Sequence, residues 1–128
     1  MCTNRFIVQD GIYDRFVEKL VAATEALKVG NGLDDGVKQG PLIDPDAVSK
    51  VEELVADAKS KGGRIATGGK RHALGGTFYA PTVIADASED MRFTSEEIFG
   101  PVSPIYRFKT EEDGIRMAND TVYGLASY

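Results

Sequence analysis

The chain has 128 residues, of which 42% are hydrophobic and 27% are charged, and its formal net charge of −5 argues against a nucleic-acid partner, because phosphate binding requires a basic surface. No apolar run approaches the roughly 18 residues that a membrane span requires. The chain has one cysteine and one histidine, which can form neither an internal disulfide nor a zinc site.

The N-terminal part predicts one strand followed by one helix. Residues 5–9 are rich in β-branched and aromatic side chains, which is typical of a buried strand. Asp10 is placed to cap the following helix, and Gly30 and Gly32 are expected to end it. Apolar residues recur along this helix at helical spacing, at Tyr13, Phe16, Val17, Leu20, Val21, Thr24 and Leu27.

A second helix is predicted after a loop at residues 31–43. Asp44 is a capping acid, and Pro45 suits the first helical position. Lysines and glycines at residues 59–63 are expected to close this helix. Its apolar face consists of Val48, Val51, Val55 and Ala58.

Three further segments have the character of extended chain. Residues 64–67 and 102–108 each predict a strand. Residues 78–84 also predict extended chain, in which Pro81 favours a sheet edge or a bend.

The segments around these strands include a third helix. Residues 88–97 are compatible with a short helix or with irregular structure. Thr110 is expected to cap a helix, with the acidic residues 111–113 in its positively polarised first turn. Residues 125–128 are expected to begin a further strand.

Strands that alternate with helices predict an α/β fold with a mainly parallel sheet and flanking helices. One predicted strand begins almost at Met1, and another stops at Tyr128. We therefore interpret residues 1–128 as part of one larger domain, truncated at both ends.

The glycine-rich loop at residues 68–76 carries little chemical information. The GGK sequence at residues 68–70 is part of a phosphate-binding pattern, but Arg64 and Arg71 stand where that pattern requires a glycine and a hydroxyl. His72 has no nearby serine or cysteine to activate. A solvated surface loop is the favoured interpretation.

Two other features could carry chemistry. Glu96 and Glu97 form a carboxylate pair, which is either surface charge with one hydrogen-bonding role or an acid/base pair. Cys2 is the one soft nucleophile. Because it lies outside any helix N-terminus and has no fixed basic neighbour, we expect its reactivity to be ordinary.

Several motifs in order resemble the aldehyde dehydrogenase family. EEIFGP at residues 96–101 resembles a signature of that family, and CTNRFIVQ at residues 2–9 is similar to the segment after its catalytic cysteine. QGPLI at residues 39–43, APTV at residues 80–83 and NDTVYGLA at residues 119–126 agree with it too. Within the family, the opening and the QGPLID loop are most similar to succinate-semialdehyde dehydrogenase.

The resemblance implies NAD(P)-dependent oxidation of an aldehyde to a carboxylic acid, through attack by a cysteine thiolate and hydride transfer to the nicotinamide. It places Glu97 at the residue that binds the hydroxyls of the nicotinamide ribose. It places Phe99 at the aromatic residue beside the nicotinamide ring, with core packing as the alternative role. Both are therefore expected cofactor-binding residues for NAD or NADP.

The same resemblance places essential groups outside the sequence. The nucleophilic cysteine corresponds to the position just before Met1. At the position of Met1 itself, relatives often have valine. Cys2 corresponds to a second cysteine that forms a redox-switch disulfide with the nucleophile in some members. The general-base glutamate and the dinucleotide-binding domain lie upstream. We therefore expect no catalytic residues, no activity and no bound cofactor in this chain alone.

The alternative function is a non-catalytic, self-associating interaction module, because a truncated domain exposes apolar surface. A dimer linked through Cys2 is a third hypothesis. The parent enzyme is expected to bind a small aldehyde and to form a homo-oligomer. Neither a nucleic acid nor a membrane is expected as a partner. The absence of an apolar leader favours the cytoplasm or an organelle matrix.

Overall fold

The computed structural model describes residues 3–124 together with residues 126 and 127. The strands are β1 (Phe6–Gln9), β2 (Arg64–Thr67), β3 (Thr82–Ala87) and β4 (Val102–Phe108). The helices are α1 (Asp10–Glu25), α2 (Pro45–Ser60) and α3 (Glu111–Asn119), with a short 3₁₀ helix at Arg92–Thr94. Cys2 and two residues of the predicted last strand, Leu125 and Tyr128, lie outside the described residues.

The four strands form one sheet in the order β1-β4-β3-β2. Strand β4 is parallel to both β1 and β3, whereas β2 is antiparallel to β3. The predicted α/β class with a mainly parallel sheet is therefore confirmed.

Helices cover both faces of this sheet, as expected when strand side chains alternate between two buried faces. One face packs against α1 through Val8, Tyr13, Val17, Val83, Ala85 and Ile105. The opposite face packs against α2 and α3 through a larger cluster that includes Val51, Leu54, Ile84, Phe93, Tyr106 and Met117. Among the described helices, none is long and apolar enough to cross a membrane.

The ends of α1 differ from the sequence prediction. Gln9 is the N-cap, so Asp10 is the first helical residue and caps nothing. The helix ends at Glu25 rather than at Gly30. Leu27 is 40% exposed. The apolar pattern of the sequence therefore extends past the part of the segment that packs against the core.

The capping predictions for the other two helices are confirmed. Asp44 accepts a hydrogen bond from the Ala47 N–H at 2.8 Å, with Pro45 as the first residue of α2. Thr110 caps α3 in a capping box with Asp113, in which each side chain accepts from the other residue's backbone N–H. Both caps satisfy backbone donors that a helix start leaves unpaired.

The prediction for residues 78–84 is wrong in its bounds, and the edge position, one of its two alternatives, is wrong as well. Strand β3 begins only at Thr82, and it lies between β4 and β2 inside the sheet. Pro81 precedes the strand, where a missing N–H removes nothing from the ladder. Pro104, by contrast, lies within β4, opposite Ile84.

The ladder between β3 and β4 is interrupted next to Pro104. The register shifts between Ile84 and Ala87, and Asp86 adopts a φ of 58°. The hydroxyl of Tyr13 spans this interruption: it donates to the Ile105 carbonyl at 3.0 Å and accepts from the Asp86 N–H at 2.6 Å. One buried side chain of α1 thus bonds a backbone group of each strand at the point where their register shifts.

The Tyr13 ring also contacts a charged group. The Arg107 guanidinium lies 3.7 Å from the centroid of the Tyr13 ring, within cation–π range. The same guanidinium bonds Asp10 at 2.7 Å and Asp14 at 2.9 Å. Asp10 therefore anchors the first turn of α1 to β4.

We expect Tyr13→Phe to lower the free energy of unfolding by about 2 kcal/mol, because two backbone groups inside the sheet lose their partner. Urea denaturation measures this change. Tyr123→Phe is the matched control, since Tyr123 is half exposed, and it should stay within about 0.5 kcal/mol of the unsubstituted chain. Equal changes for the two variants would contradict the bridging role of Tyr13.

Burial raises the pKa of both Tyr79 and Tyr106 to about 12 from the ordinary value of 10.0. The unfolded chain therefore loses these protons at lower pH than the folded chain. Their contribution to stability is complete below pH 10 and is lost as the pH rises towards about 12. Urea denaturation across this range should show the decline. The Tyr79→Phe variant should show a smaller decline in the free energy of unfolding. An equal decline would show that Tyr79 does not contribute to it.

Candidate functional site

The candidate site is an exposed turn between the 3₁₀ helix and β4, which we name the Glu97 turn (residues 95–100). Glu97 and Phe99 are both exposed, whereas Ile98 between them is only 3% exposed and Gly100 is buried. The turn therefore presents a carboxylate and an aromatic ring at alternate positions of one short segment. The two expected cofactor-binding residues lie together on the surface.

Phe99 has the most unusual backbone of the turn. Its φ is 47°, in the left-handed region that costs a non-glycine residue about 1 kcal/mol or more. Its side chain is 72% exposed, so Phe99 is not packed in the core of this chain. An exposed aromatic ring on a strained backbone adds little to stability, which favours a binding role.

Helix α2 packs against the turn. The Lys50 Nζ donates to the Glu97 carbonyl oxygen at 2.6 Å. A Cβ atom on Gly100 would lie 2.5 Å from Val51 Cγ2, so only glycine permits this close approach. The backbone on both sides of Phe99 is consequently fixed against α2.

The N-terminal segment is joined to the turn by hydrogen bonds of Asn4. Asn4 Nδ2 donates to the Phe93 carbonyl at 2.9 Å and to the Glu96 carbonyl at 3.4 Å. Asn4 Oδ1 accepts from the Ile98 N–H at 3.0 Å. The sequence analysis missed this residue, because no local pattern connects position 4 with positions 93–98.

The next residue along the chain has a similar anchoring role. The Arg5 guanidinium donates to the Met117 carbonyl at 2.7 Å and to the Ala118 carbonyl at 3.2 Å. These carbonyls end α3, where a helix leaves backbone acceptors unpaired. Residues 4 and 5 therefore hold the start of the described chain against two separate elements.

The two glutamates of the turn have different environments. Arg92 holds Glu96 with two bonds of 2.9 and 3.2 Å, and this guanidinium holds the pKa of the Glu96 carboxyl below its ordinary value. Glu97 is exposed, and its backbone oxygen is bonded to Lys50. Glu96 therefore stabilises the turn, and the Glu97 carboxylate remains available as an acceptor. The acid/base pair is not formed.

The turn offers two kinds of contact to a ligand. A carboxylate can accept hydrogen bonds from two neighbouring hydroxyls at once, and an exposed ring offers a flat surface for a heterocycle. Within the part of the chain that the structure describes, no group of three or more His, Cys, Asp or Glu residues could hold a metal ion.

The glycine-rich loop has a structural explanation. Gly68 adopts a φ of 75°, and a Cβ there would lie 2.3 Å from the Pro81 carbonyl oxygen. The Gly69 N–H donates to Thr82 Oγ1 at 2.8 Å. His72 Nδ1 accepts from the Leu74 N–H at 3.3 Å. The glycines thus allow the loop to approach the start of β3, in agreement with the surface-loop interpretation.

The sheet order and the exposed Glu97 turn define the class of structure: a layered α/β unit with a mainly parallel sheet that presents a carboxylate and an aromatic ring. The model of the aldehyde dehydrogenase family matches residues 1–128. The chain belongs to the aldehyde dehydrogenase family.

Individual relatives support this assignment along the whole chain. The chain is 61% identical to the mitochondrial succinate-semialdehyde dehydrogenase of Arabidopsis thaliana and 56% identical to the glutarate-semialdehyde dehydrogenase of Pseudomonas aeruginosa, over 128 residues in each case. It spans 24% and 26% of their lengths, or about a quarter.

The structural match is equally close. The crystal structure of an NADP-dependent enzyme of Escherichia coli superposes with a TM-score of 0.94 and 54% identity. The match covers 98% of this chain and 26% of that chain. The family resemblance and the α/β fold expected from the sequence are both confirmed.

Replacing Phe99 tests the strain at the turn. We expect Phe99→Asn to raise the free energy of unfolding by about 1 kcal/mol, because asparagine tolerates a left-handed φ. Phe99→Ala is the matched control: it also removes the ring but keeps the backbone cost. Chemical denaturation compares the two variants. A lower stability of Phe99→Asn than of Phe99→Ala would show that the turn is not strained.

Proposed function

We propose that this chain forms the coenzyme-facing part of the catalytic domain of an NAD(P)-dependent aldehyde dehydrogenase, and that it has no turnover alone. The observation that carries the proposal is the Glu97 turn, on which Glu97 and Phe99 are exposed together while the residues around them are fixed. The parent enzyme oxidises a short aldehyde to the carboxylic acid, with succinate semialdehyde as the leading substrate.

Glu97 is proposed to bind both hydroxyls of the nicotinamide ribose. An ionised carboxylate accepts two hydrogen bonds without donating any. The Lys50 bond to the Glu97 carbonyl fixes the backbone, so only the side-chain torsions of Glu97 remain to be ordered. Less conformational entropy is then lost when the ribose binds.

Phe99 is proposed to lie beside the nicotinamide ring and to limit where that ring can move. When bound, the nicotinamide accepts the hydride that leaves the substrate. The left-handed backbone directs the Phe99 ring into solvent, where a neighbouring domain can place the coenzyme. Limited ring motion favours a reactive geometry, since a misplacement of about 1 Å reduces the rate strongly.

The substrate class is proposed from relatives. The two named above act, by their names, on semialdehydes of succinate and of glutarate. Both substrates carry an aldehyde at one end and a carboxylate at the other. The parent of this chain is accordingly proposed to oxidise a short aldehyde with an acidic far end, in the cytoplasm and as a homo-oligomer.

The absence of turnover is proposed from the family resemblance of CTNRFIVQ. That resemblance implies a nucleophile just before Met1 and the redox-switch position for Cys2. A sulfur two residues along an extended chain lies roughly 6–7 Å away. This distance exceeds what an attack geometry tolerates, so Cys2 is not proposed as a substitute nucleophile.

Self-association is the second candidate function. Large apolar side chains at Leu33, Ile43 and Val122 are each more than 90% exposed. Such side chains mark interaction surfaces when they cluster. Light scattering at rising protein concentration tests this function, and a persistent monomer would exclude it.

The proposed function is tested by placing the segment in a complete enzyme. We expect the chain alone to produce no NADPH from succinate semialdehyde and NADP. A chimera in which this chain replaces the matching quarter of the Escherichia coli NADP-dependent enzyme should produce NADPH.

In that chimera, Glu97→Gln should raise the KM for NADP about tenfold, since a neutral amide replaces a charge-assisted acceptor. Glu18→Gln is the matched control, because Glu18 is exposed on α1 and should leave the KM unchanged. NADPH formation by the chain alone would overturn the assignment of the nucleophile. An unchanged KM in Glu97→Gln would overturn the role of Glu97.

A further inference from the structure

We propose that Asn4 is a positioning residue that sets the Glu97 turn relative to the segment that follows the nucleophile. This inference rests on the proposed function and extends it to a residue outside the turn. In this arrangement one amide side chain joins the segment that follows the proposed nucleophile to the turn that is proposed to bind the nicotinamide ribose.

The hydrogen bonds of Asn4 reach the turn at two residues and the preceding 3₁₀ helix at one. Nδ2 donates to the Phe93 and Glu96 carbonyls, and Oδ1 accepts from the Ile98 N–H. These partners lie before, inside and near the end of the segment that leads to Phe99. The amide therefore holds both the path into the turn and its central residue.

Only a side chain with a donor and an acceptor on one planar group makes all these bonds. An ionised aspartate has the same shape as asparagine but accepts only. It would face the carbonyls of Phe93 and Glu96 without donating to them. Asn4→Asp is therefore a change of hydrogen bonding at nearly constant volume.

The bond to Ile98 affects both functional side chains. Ile98 is buried, so its N–H has little access to water as an alternative acceptor. The neighbours of Ile98 are Glu97 and the strained Phe99. A strained residue persists only when its surroundings define it, so a loosened Ile98 lets Phe99 relax and moves the carboxylate with it.

Asn4 itself belongs to the segment that follows the proposed nucleophile. In the proposed function, the nucleophile precedes Met1, only a few residues from Asn4. Arg5 is anchored to the end of α3. Residues 4 and 5 are consequently tied to the turn on one side and to α3 on the other.

The test uses the chimera with the Escherichia coli NADP-dependent enzyme. We expect Asn4→Asp to raise the KM for NADP about tenfold and to accelerate hydrogen exchange at the Ile98 N–H by a similar factor. Asn4→Ser keeps a hydroxyl donor and acceptor and should give an intermediate KM. Asn31→Asp is the matched control, because Asn31 lies in an exposed loop where its side chain only accepts.

The outcomes separate positioning from general stabilisation. A raised KM with unchanged melting temperature supports the proposal, and so does the order of the two Asn4 variants. A KM within about twofold of the unsubstituted chimera in Asn4→Asp, or an equal rise in Asn31→Asp, overturns it. An inactive unsubstituted chimera defeats the proposed function instead. In that case an unchanged Ile98 exchange rate in Asn4→Asp still overturns the role of Asn4.

Discussion

The hydroxyl of Tyr13 occupies the point where the sheet would otherwise be incomplete. Strand β4 contains a proline, and its register with β3 shifts between Ile84 and Ala87, where Tyr13 bonds both the Asp86 N–H and the Ile105 carbonyl. An unpaired backbone group inside a fold costs about 1–3 kcal/mol. Because Tyr13 belongs to α1, the same bonds that complete the sheet also fix the helix on its face. The Arg107 interactions with Asp10 and Asp14 then secure that helix at its first turns.

The candidate site depends on this sheet through the connection between β3 and β4. Both strands are parallel, so the chain must return from the end of one to the start of the other. It returns over α2, where Phe93 and Ile98 are buried. The buried side chains alternate with the exposed ones, and the exposed ones are Glu97 and Phe99. Function and core packing therefore use alternate positions of the same short segment, which lets the core define the site without contributing side chains to it.

The sequence predicts the fold well where the determinants are local. The caps at Asp44 and Thr110 lie within three residues of the groups they bind, so short-range patterns identify them. The end of α1 was missed because its length depends on how far the sheet extends beneath it. The position of β3 inside the sheet was also missed, since Pro81 indicates an edge only if it belongs to the strand. The family signature predicts Glu97 and Phe99 as site residues, and the structure exposes both of them. Asn4 was not predicted, because its partners are 89 to 94 residues away.

The contact between Gly100 and Val51 links two positions that are far apart in the sequence. A single added methyl group on residue 100 would collide with Val51. A smaller residue at position 51 would create the missing space, but it would also remove a fully buried side chain from α2. Neither position can change first without a loss of stability. Over evolutionary time the two should therefore be replaced together or not at all, so that the helix supporting the turn inherits the same sequence constraint as the turn itself.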